Sequence, residues 1–264
     1  MPFTLASWNV NFRRDVAGQV AAVLVHRPDI VVLQEVRAAN FPELAERFAA
    51  AGLYEFATSA SSTAGHRIRR YVALASQFPF RDAVPVDGPA PETSVCVEVE
   101  TPEGNFELVA VYVPSIARKD GVKVPTQHAM HALMARGAGR PQVICGDFNS
   151  PKSESLEGEI ELFFKPSRPA EYAGELALMH GLLELGMTDA FRVCNGFGEP
   201  SPSWFWKNRG RTGGYRLDHI FVSPHFTVRR CWYDHGVRER GLSDHSMMCA
   251  EVGLLGATRG RDKR

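Results

Sequence analysis

Asp147 and Asn149, two residues apart in Gly146-Asp147-Phe148-Asn149, are a carboxylate and a carboxamide that project to the same side of an extended chain. That geometry suits one group acting on a water while the other grips an oxyanion. Turn formers after a strand would look the same, so the pair gains meaning from what else the chain supplies. Asp218 stands within the strand-like run Arg216–Val222, which is apolar from Ile220 onward, and an unpaired carboxylate in a buried strand is costly. Asp244 and His245 adjoin ahead of another apolar run. The imidazole can share a proton near neutral pH or, when charged, donate a hydrogen bond to an anion. A turn-forming Asp and a hydrogen-bonded core His are the plainer readings of that last pair.

The elements that must position these groups are visible as patterns. Phe3–Ser7, Asp29–Leu33, Phe106–Val111 and Val143–Cys145 are apolar runs that read as buried strands. Each hands over to polar residues at its carboxyl end: Asn9 and Asn11, Glu35, Tyr112, then Asp147 and Asn149. Loops at strand ends carry function on a rigid scaffold more often than other positions do. Four such coincidences predict one cleft at a shared rim. Helical spacing marks Asp15–His26, Phe41–Ala51, Pro125–Arg136 and Ala170–Leu185. Val95–Glu100 and Phe106–Val111 predict a hairpin, with further strands at Tyr54–Thr58, Tyr71–Ser76, Arg216–Val222, Thr227–Tyr233 and Ser246–Val252. Ser153–Arg168 reads as a short helix or an irregular loop. With no repeat, linker or low-complexity block, residues 1–255 predict one domain of packed sheets with helices outside. The basic tail 256–264 is expected to be disordered.

Composition narrows the function classes. The chain has 264 residues, 44% of them apolar, enough for a sizeable core. It holds no apolar run of membrane-spanning length and no visible secretory signal, so neither a membrane partner nor export is expected. The five cysteines are scattered without a C-x-x-C pair, which argues against zinc and a disulfide framework and fits a reducing cytoplasm. Thirty basic and thirty acidic residues leave no net charge, unlike a nonspecific nucleic-acid coat. Local basic clusters remain at His66-Arg67-Ile68-Arg69-Arg70 and Lys207-Asn208-Arg209-Gly210-Arg211, each a solvated loop by default.

In order along the chain stand Trp8-Asn9-Val10-Asn11, Leu33-Gln34-Glu35, Tyr112-Val113-Pro114, Gly146-Asp147-Phe148-Asn149, Arg216-Leu217-Asp218 and Ser243-Asp244-His245. Each motif is weak alone, but the ordered set resembles the endonuclease/exonuclease/phosphatase superfamily over residues 3 to 252. The resemblance implies an α/β fold, the DNase I-like four-layer sandwich of two mixed β-sheets flanked by helices. Gly186-Met187-Thr188-Asp189-Ala190-Phe191-Arg192 and Ser203-Trp204-Phe205-Trp206 resemble segments of exonuclease III-type abasic-site endonucleases. In those enzymes the aromatic loop borders the damaged-nucleotide pocket. Three consecutive aromatics cannot all face one interior. Asn11 stands where some relatives carry Asp and bacterial members commonly have Asn. Val36-Arg37 replaces the Thr-Lys frequent in abasic-site enzymes, and Ser115 replaces a longer amide side chain.

The resemblance implies a Mg2+-dependent phosphodiester hydrolase, with Mn2+ able to substitute, acting as a monomer on duplex DNA at abasic sites or 3′ ends. Glu35 is the first choice for the cation, because hard Mg2+ takes carboxylate oxygens, with Asn9, Asn11 and Asp244 in or beside its shell. Asp147 would orient or deprotonate the water, and Asn149 would position the nucleophile or the phosphate. His245, held in one tautomer by Asp218, would donate to a nonbridging oxygen, and Tyr112 would contact the phosphate or assist proton movement. Trp204, Phe205, Trp206, Tyr215 and Arg118 are the expected substrate contacts. A phosphatase, phosphodiesterase or RNase acting on a non-DNA phosphoester is the alternative within the superfamily. A catalytically silent DNA-binding module is the alternative outside catalysis.

Overall fold

Alternation within the strands decides the layers. In β1 (Phe3–Asn9), Phe3 and Leu5 face one cluster of buried side chains while Ala6 and Trp8 face another. The same split divides Ile30 and Val32 from Val31 and Leu33 in β2 (Ile30–Val36). Strands that are apolar on both faces are covered on both faces. Each fully buried Val or Leu contributes about 1.5–3 kcal/mol. A computed structural model describes residues 1–62, 70–84, 86–115 and 121–255. Arg118, residues 66–69 of the first basic cluster and the tail 256–264 lie outside them.

Between β1 and β2 runs α1 (Val16–Leu24), which Asp15 caps by accepting from the Gly18 N–H at 2.9 Å. Next come α2 (Phe41–Ala50), β3 (Glu55–Thr58), β4 (Tyr71–Ser76) and β5 (Phe80–Val84). The hairpin of β6 (Ser94–Thr101) and β7 (Gly104–Tyr112) is followed by α3 (Lys123–Arg136) and β8 (Gln142–Asp147). The stretch read as a helix or loop instead forms a ribbon of two short strands, β9 (Ser153–Glu154) and β10 (Ile160–Glu161), ahead of α4 (Pro169–Glu184). The closing elements are β11 (Thr188–Asp189), α5 (Ala190–Asn195), β12 (Trp204–Asn208), β13 (Arg211–Tyr215), β14 (Asp218–Val222), β15 (Phe226–Asp234), α6 (Gly236–Glu239) and β16 (Met247–Leu254).

Among the described residues two six-stranded sheets form, in the orders β15-β16-β1-β2-β4-β3 and β11-β14-β8-β7-β6-β5. The main cluster, with Leu5, Val32, Val97, Leu108 and Ile220, lies between them. α1 and α2 cover the outer face of the first sheet through Val20, Val23, Leu44 and Phe48. Met130 and Met134 of α3, with Leu178 and Leu182 of α4, cover the second. Helix, sheet, sheet, helix is the expected four-layer α/β sandwich. None of these helices is long and apolar enough to cross a membrane.

Each sheet contains one parallel pair, β1 with β2 and β7 with β8, joined by a crossover helix. Parallel strands end at the same rim, so the carboxyl ends of four strands point one way within their sheets. Their antiparallel neighbours, β14 and β16, begin at that rim. The register sets Asp218 directly beside Asp147, and Tyr112 on the other side of it. Gly146 (φ +143°) precedes Asp147 where a Cβ would lie 1.8 Å from the Val111 carbonyl oxygen. Only glycine permits that approach.

Candidate active site

Asp147, Asn149, Tyr112, Glu35, Asn11, Asp244 and His245 all line one cavity of about 370 Å³. The structure therefore brings together residues from six segments of the chain, with Asn9 and Asp218 behind them. Asp147 is buried, yet its Oδ2 accepts from Asn9 Nδ2 (2.9 Å) and Asn149 Nδ2 (3.2 Å), while Oδ1 accepts from the Asn149 backbone N–H at 2.8 Å. Burial pushes the Asp147 carboxyl up to about 7; His245 opposes the shift, and Asp218 and Glu35 add to it.

His245 is fixed from three directions. Its Nδ1 lies 2.8 Å from Asp218 Oδ2, its backbone carbonyl accepts from Trp8 Nε1 at 3.0 Å, and its N–H donates to Ser243 Oγ at 3.1 Å. Ser243 in turn donates to the Asn9 carbonyl. The remaining ring nitrogen, Nε2, points to Asp147 Oδ2 across 3.9 Å, too long for a hydrogen bond. Burial works against charge on His245, but Asp218 outweighs it by charge and hydrogen bond, raising the imidazole to about 10.

Glu35 sits at a bulge in β2 with φ 55°, and Asn11 (φ 45°) and Asn149 (φ 48°) are also left-handed. Such conformations persist where surrounding structure over-determines them, often at functional sites. Glu35 Oε1 accepts from Asn9 Nδ2 at 3.1 Å and Arg70 Nη1 at 2.6 Å. Tyr112 Oη accepts from the same Arg70 nitrogen at 2.7 Å. Burial beside Glu35 and Asp147 drives the Tyr112 phenol far above its usual range, so it stays neutral and keeps a hydrogen to donate.

Two sets of groups are able to hold a metal. Asp147, Asp218 and His245 offer one ligand atom each within 4.8 Å of one another. That trio is already joined internally by the Asp218–His245 hydrogen bond. Glu35 Oε2 and Asp244 Oδ1, by contrast, are buried with no hydrogen-bond partner among the described residues. Unpartnered carboxylate oxygens opening on one cavity fit a hard divalent cation. Asn11 lines the same cavity. Asn9 turns its amide nitrogen to the carboxylates, while its oxygen accepts from the Asn11 N–H at 2.9 Å.

The aromatic segment expected as a loop is strand β12, paired with β13. Buried Ser203 ties this hairpin to the site, since its Oγ accepts from the Leu217 and Asp218 N–H groups at 2.9 and 3.2 Å. Trp204 donates from Nε1 to Asp244 Oδ2 at 3.1 Å and stacks with Tyr215, ring centroids 6.1 Å apart at 14°. Both rings wall the cavity. Strand alternation turns Phe205 to the other face, where Arg238 lies 3.8 Å from its ring centroid. Trp206 lies beyond the cavity wall, close over Gly213. Lys207, Arg209 and Arg211 stand at the hairpin tip.

The cavity also contains Lys123 and Arg70, neither of them in the superfamily motifs. Arg70 ends the basic cluster read as a solvated loop, and the structure places it in the cavity instead. Lys123 is buried, donating to the Asn149 carbonyl (3.0 Å) and Glu175 Oε1 (2.8 Å). Burial lowers its pKa, against Glu175. Outside the cavity, Arg216 pairs with Glu154 (2.7 Å) and Asp189 (2.8 Å), and His219 with Asp189 (3.0 Å). Asp189 also caps α5. These contacts tie β9, β11 and α5 to the start of β14, where Asp218 lies.

A two-sheet sandwich with a carboxylate-rich, His-bearing cavity at one rim defines a class of phosphoester hydrolases. The chain belongs to the Endonuclease/Exonuclease/phosphatase family, whose profile matches residues 6–245. It is similar in fold to an endonuclease/exonuclease/phosphatase from Beutenbergia cavernae DSM 12333, with TM-score 0.72, 19% identity, and coverage of 97% of this chain and 72% of that one. A Neisseria 3′ phosphatase bound to a product DNA hairpin gives 0.66 and 22%, covering 96% and 100%. An AP endonuclease from Archaeoglobus fulgidus gives 0.69 and 21%, covering 94% and 98%. No curated protein matches the chain significantly.

Proposed function

We propose that the protein is a Mg2+-dependent phosphodiester hydrolase acting on DNA, an exonuclease III-like enzyme that cuts 5′ of abasic sites and trims 3′ ends. The observation that carries the reading is a single cavity with two kinds of wall. One holds the unpartnered oxygens of Glu35 and Asp244 and the facing pair Asp147 and His245. The other is the stacked pair Trp204 and Tyr215, which offers apolar faces to a deoxyribose or base. The likeness to structures described as DNA-processing enzymes supports DNA as the polymer.

Asp147 orients the attacking water and takes its proton, as its environment favours near neutral pH. Asn149 holds the carboxylate in place and faces the phosphate. Protonated His245, fixed by Asp218, donates from Nε2 to a nonbridging oxygen, and the neutral Tyr112 donates its hydroxyl hydrogen to the phosphate. Glu35, Asp244 and Asn11 would hold Mg2+, with Asn9 bracing Glu35. The cation supplies charge neutralisation for the phosphate and the leaving oxygen.

Abasic-site duplex, undamaged duplex, single-stranded DNA, RNA and a generic phosphodiester, each with Mg2+ and with EDTA, test the proposal. Nicking of the abasic duplex that EDTA abolishes is expected. Preference for RNA or a small phosphoester, with the abasic duplex untouched, would move the protein to the alternative of a non-DNA phosphoesterase. The absence of net positive charge favours that second reading. On whichever substrate is cut, Glu35→Ala should raise the Mg2+ requirement by about tenfold or more. An unchanged metal titration would remove Glu35 from the cation site.

A further inference from the structure

We propose that Arg70 is a catalytic residue whose guanidinium binds the phosphate being cleaved, directly beside the cation held by Glu35. The assignment rests on the phosphoester-hydrolase reading and adds a cation that none of the sequence motifs contains.

Arg70 immediately precedes β4, whose Tyr71 pairs with Val36 across the bulge that turns Glu35 into the cavity. The register therefore delivers the arginine to the functional rim. Its guanidinium carbon lies 5.5 Å from the Phe12 ring centroid and 5.6 Å from that of Tyr112, so two aromatic faces fix its place. Nη1 donates to Glu35 Oε1 at 2.6 Å and to Tyr112 Oη at 2.7 Å. A guanidinium carries five N–H donors in a planar fork. Among the described residues Nε and Nη2 make no hydrogen bond, and the side chain is 36% exposed and lines the cavity. Three donors are thus available at a site where a phosphate has to be gripped, and the fork matches phosphate oxygens two at a time.

Charge leads to the same place. Arg70 and Glu35 together are neutral, and a divalent cation added to Glu35 leaves two positive groups side by side. That arrangement is unfavourable until an anion lies against both, which is where a phosphate has most to gain from preorganised donors. A purely structural arginine would instead act as a stand-in for the cation, needed only while Glu35 is otherwise unpaired.

The two roles separate by experiment. Inorganic phosphate is titrated into the protein in saturating Mg2+ and, alongside, in EDTA, and followed through the tryptophan indole N–H signals by NMR, with the tighter binding expected in Mg2+. Wild type should bind, Arg70→Met should bind about tenfold or more weakly, and Arg70→Lys, which keeps the charge and loses the fork, should fall between. In parallel, Arg70→Met should lower kcat by about 10²–10³-fold, the scale for losing a preorganised donor, and saturating Mg2+ should not restore it. The proposal is overturned if wild type and Arg70→Met respond to phosphate alike, or if high Mg2+ returns full turnover. Arg70→Lys preserves the counter-ion to Glu35, so it serves should the methionine variant fail to fold. Because the phosphate titration uses no DNA, its outcome stands apart from whether abasic DNA proves to be the substrate.

Discussion

Asp147→Asn is expected to lower kcat by about three orders of magnitude, within the 10²–10⁴ range for losing a general base, while the folded state survives. The substitution keeps shape and volume, so the cavity stays as it is. What disappears is the only kind of atom able to take a proton from water at that point. Asn9 Nδ2 and Asn149 Nδ2 both donate to Oδ2, so an amide nitrogen there would face two donors. Rotation of the new amide would instead place its nitrogen against the Asn149 backbone N–H, which donates to Oδ1. One mismatch is unavoidable, yet removing a buried charge relieves a desolvation cost, and the melting temperature should change little. Single-turnover rates with thermal unfolding on the same samples check this. A variant within tenfold of wild type on its true substrate would take Asp147 out of the chemistry. The sign of the pH response follows from the same burial. The carboxyl, pushed up to about 7, is protonated below that pH, so kcat/KM of wild type should fall as pH drops through about 7.

Much of this site is visible in the sequence because buried strands write themselves as apolar runs and polar residues then stand out at their ends. Asn9, Glu35, Tyr112 and Asp147 are conspicuous for that reason, and the two parallel pairs bring their strand ends to one rim. Asp218 is legible through its cost: a carboxylate that opens a buried strand needs a partner, and His245 is that partner. Other parts depend on register that no local pattern carries. Arg70 is one of four basic residues in five, and what places it is the pairing of the next residue, Tyr71, with Val36. Lys123 is placed by Glu175, fifty-two positions along the chain on another helix. The hairpin of β12 and β13 hides because its tip, Lys207 to Arg211, is as polar as any loop and its aromatics face both ways. Strand β5 is largely exposed, so no apolar alternation announces it. Arg118 was expected at the substrate and lies outside the described residues.

Asp218→Asn should be nearly as damaging as losing His245 itself, and the two losses should not add. Asp218 touches no part of the cavity; its Oδ2 holds Nδ1 of His245 at 2.8 Å, and its backbone carbonyl accepts from Tyr233 Oη at 2.6 Å. Its charge and hydrogen bond are the main reasons the imidazole is raised to about 10 despite burial. With Asp218 intact, the active form has Asp147 ionised and His245 protonated, and it predominates between about pH 7 and about pH 10. An asparagine removes the charge and lets burial act, so the alkaline limb of the kcat/KM profile should move down toward neutrality. Asp218 also helps raise the Asp147 carboxyl, so the acid limb moves down as well, but at pH 8 most molecules lack the proton that His245 must donate. A loss of about 10²–10⁴-fold at that pH is expected for Asp218→Asn and for His245→Ala alike. The double variant should be no slower than His245→Ala alone, because two residues acting through one proton form a single unit. Independent, multiplying losses in that cycle, or an alkaline limb unmoved by Asp218→Asn, would mean that the carboxylate and the imidazole do not work as a pair.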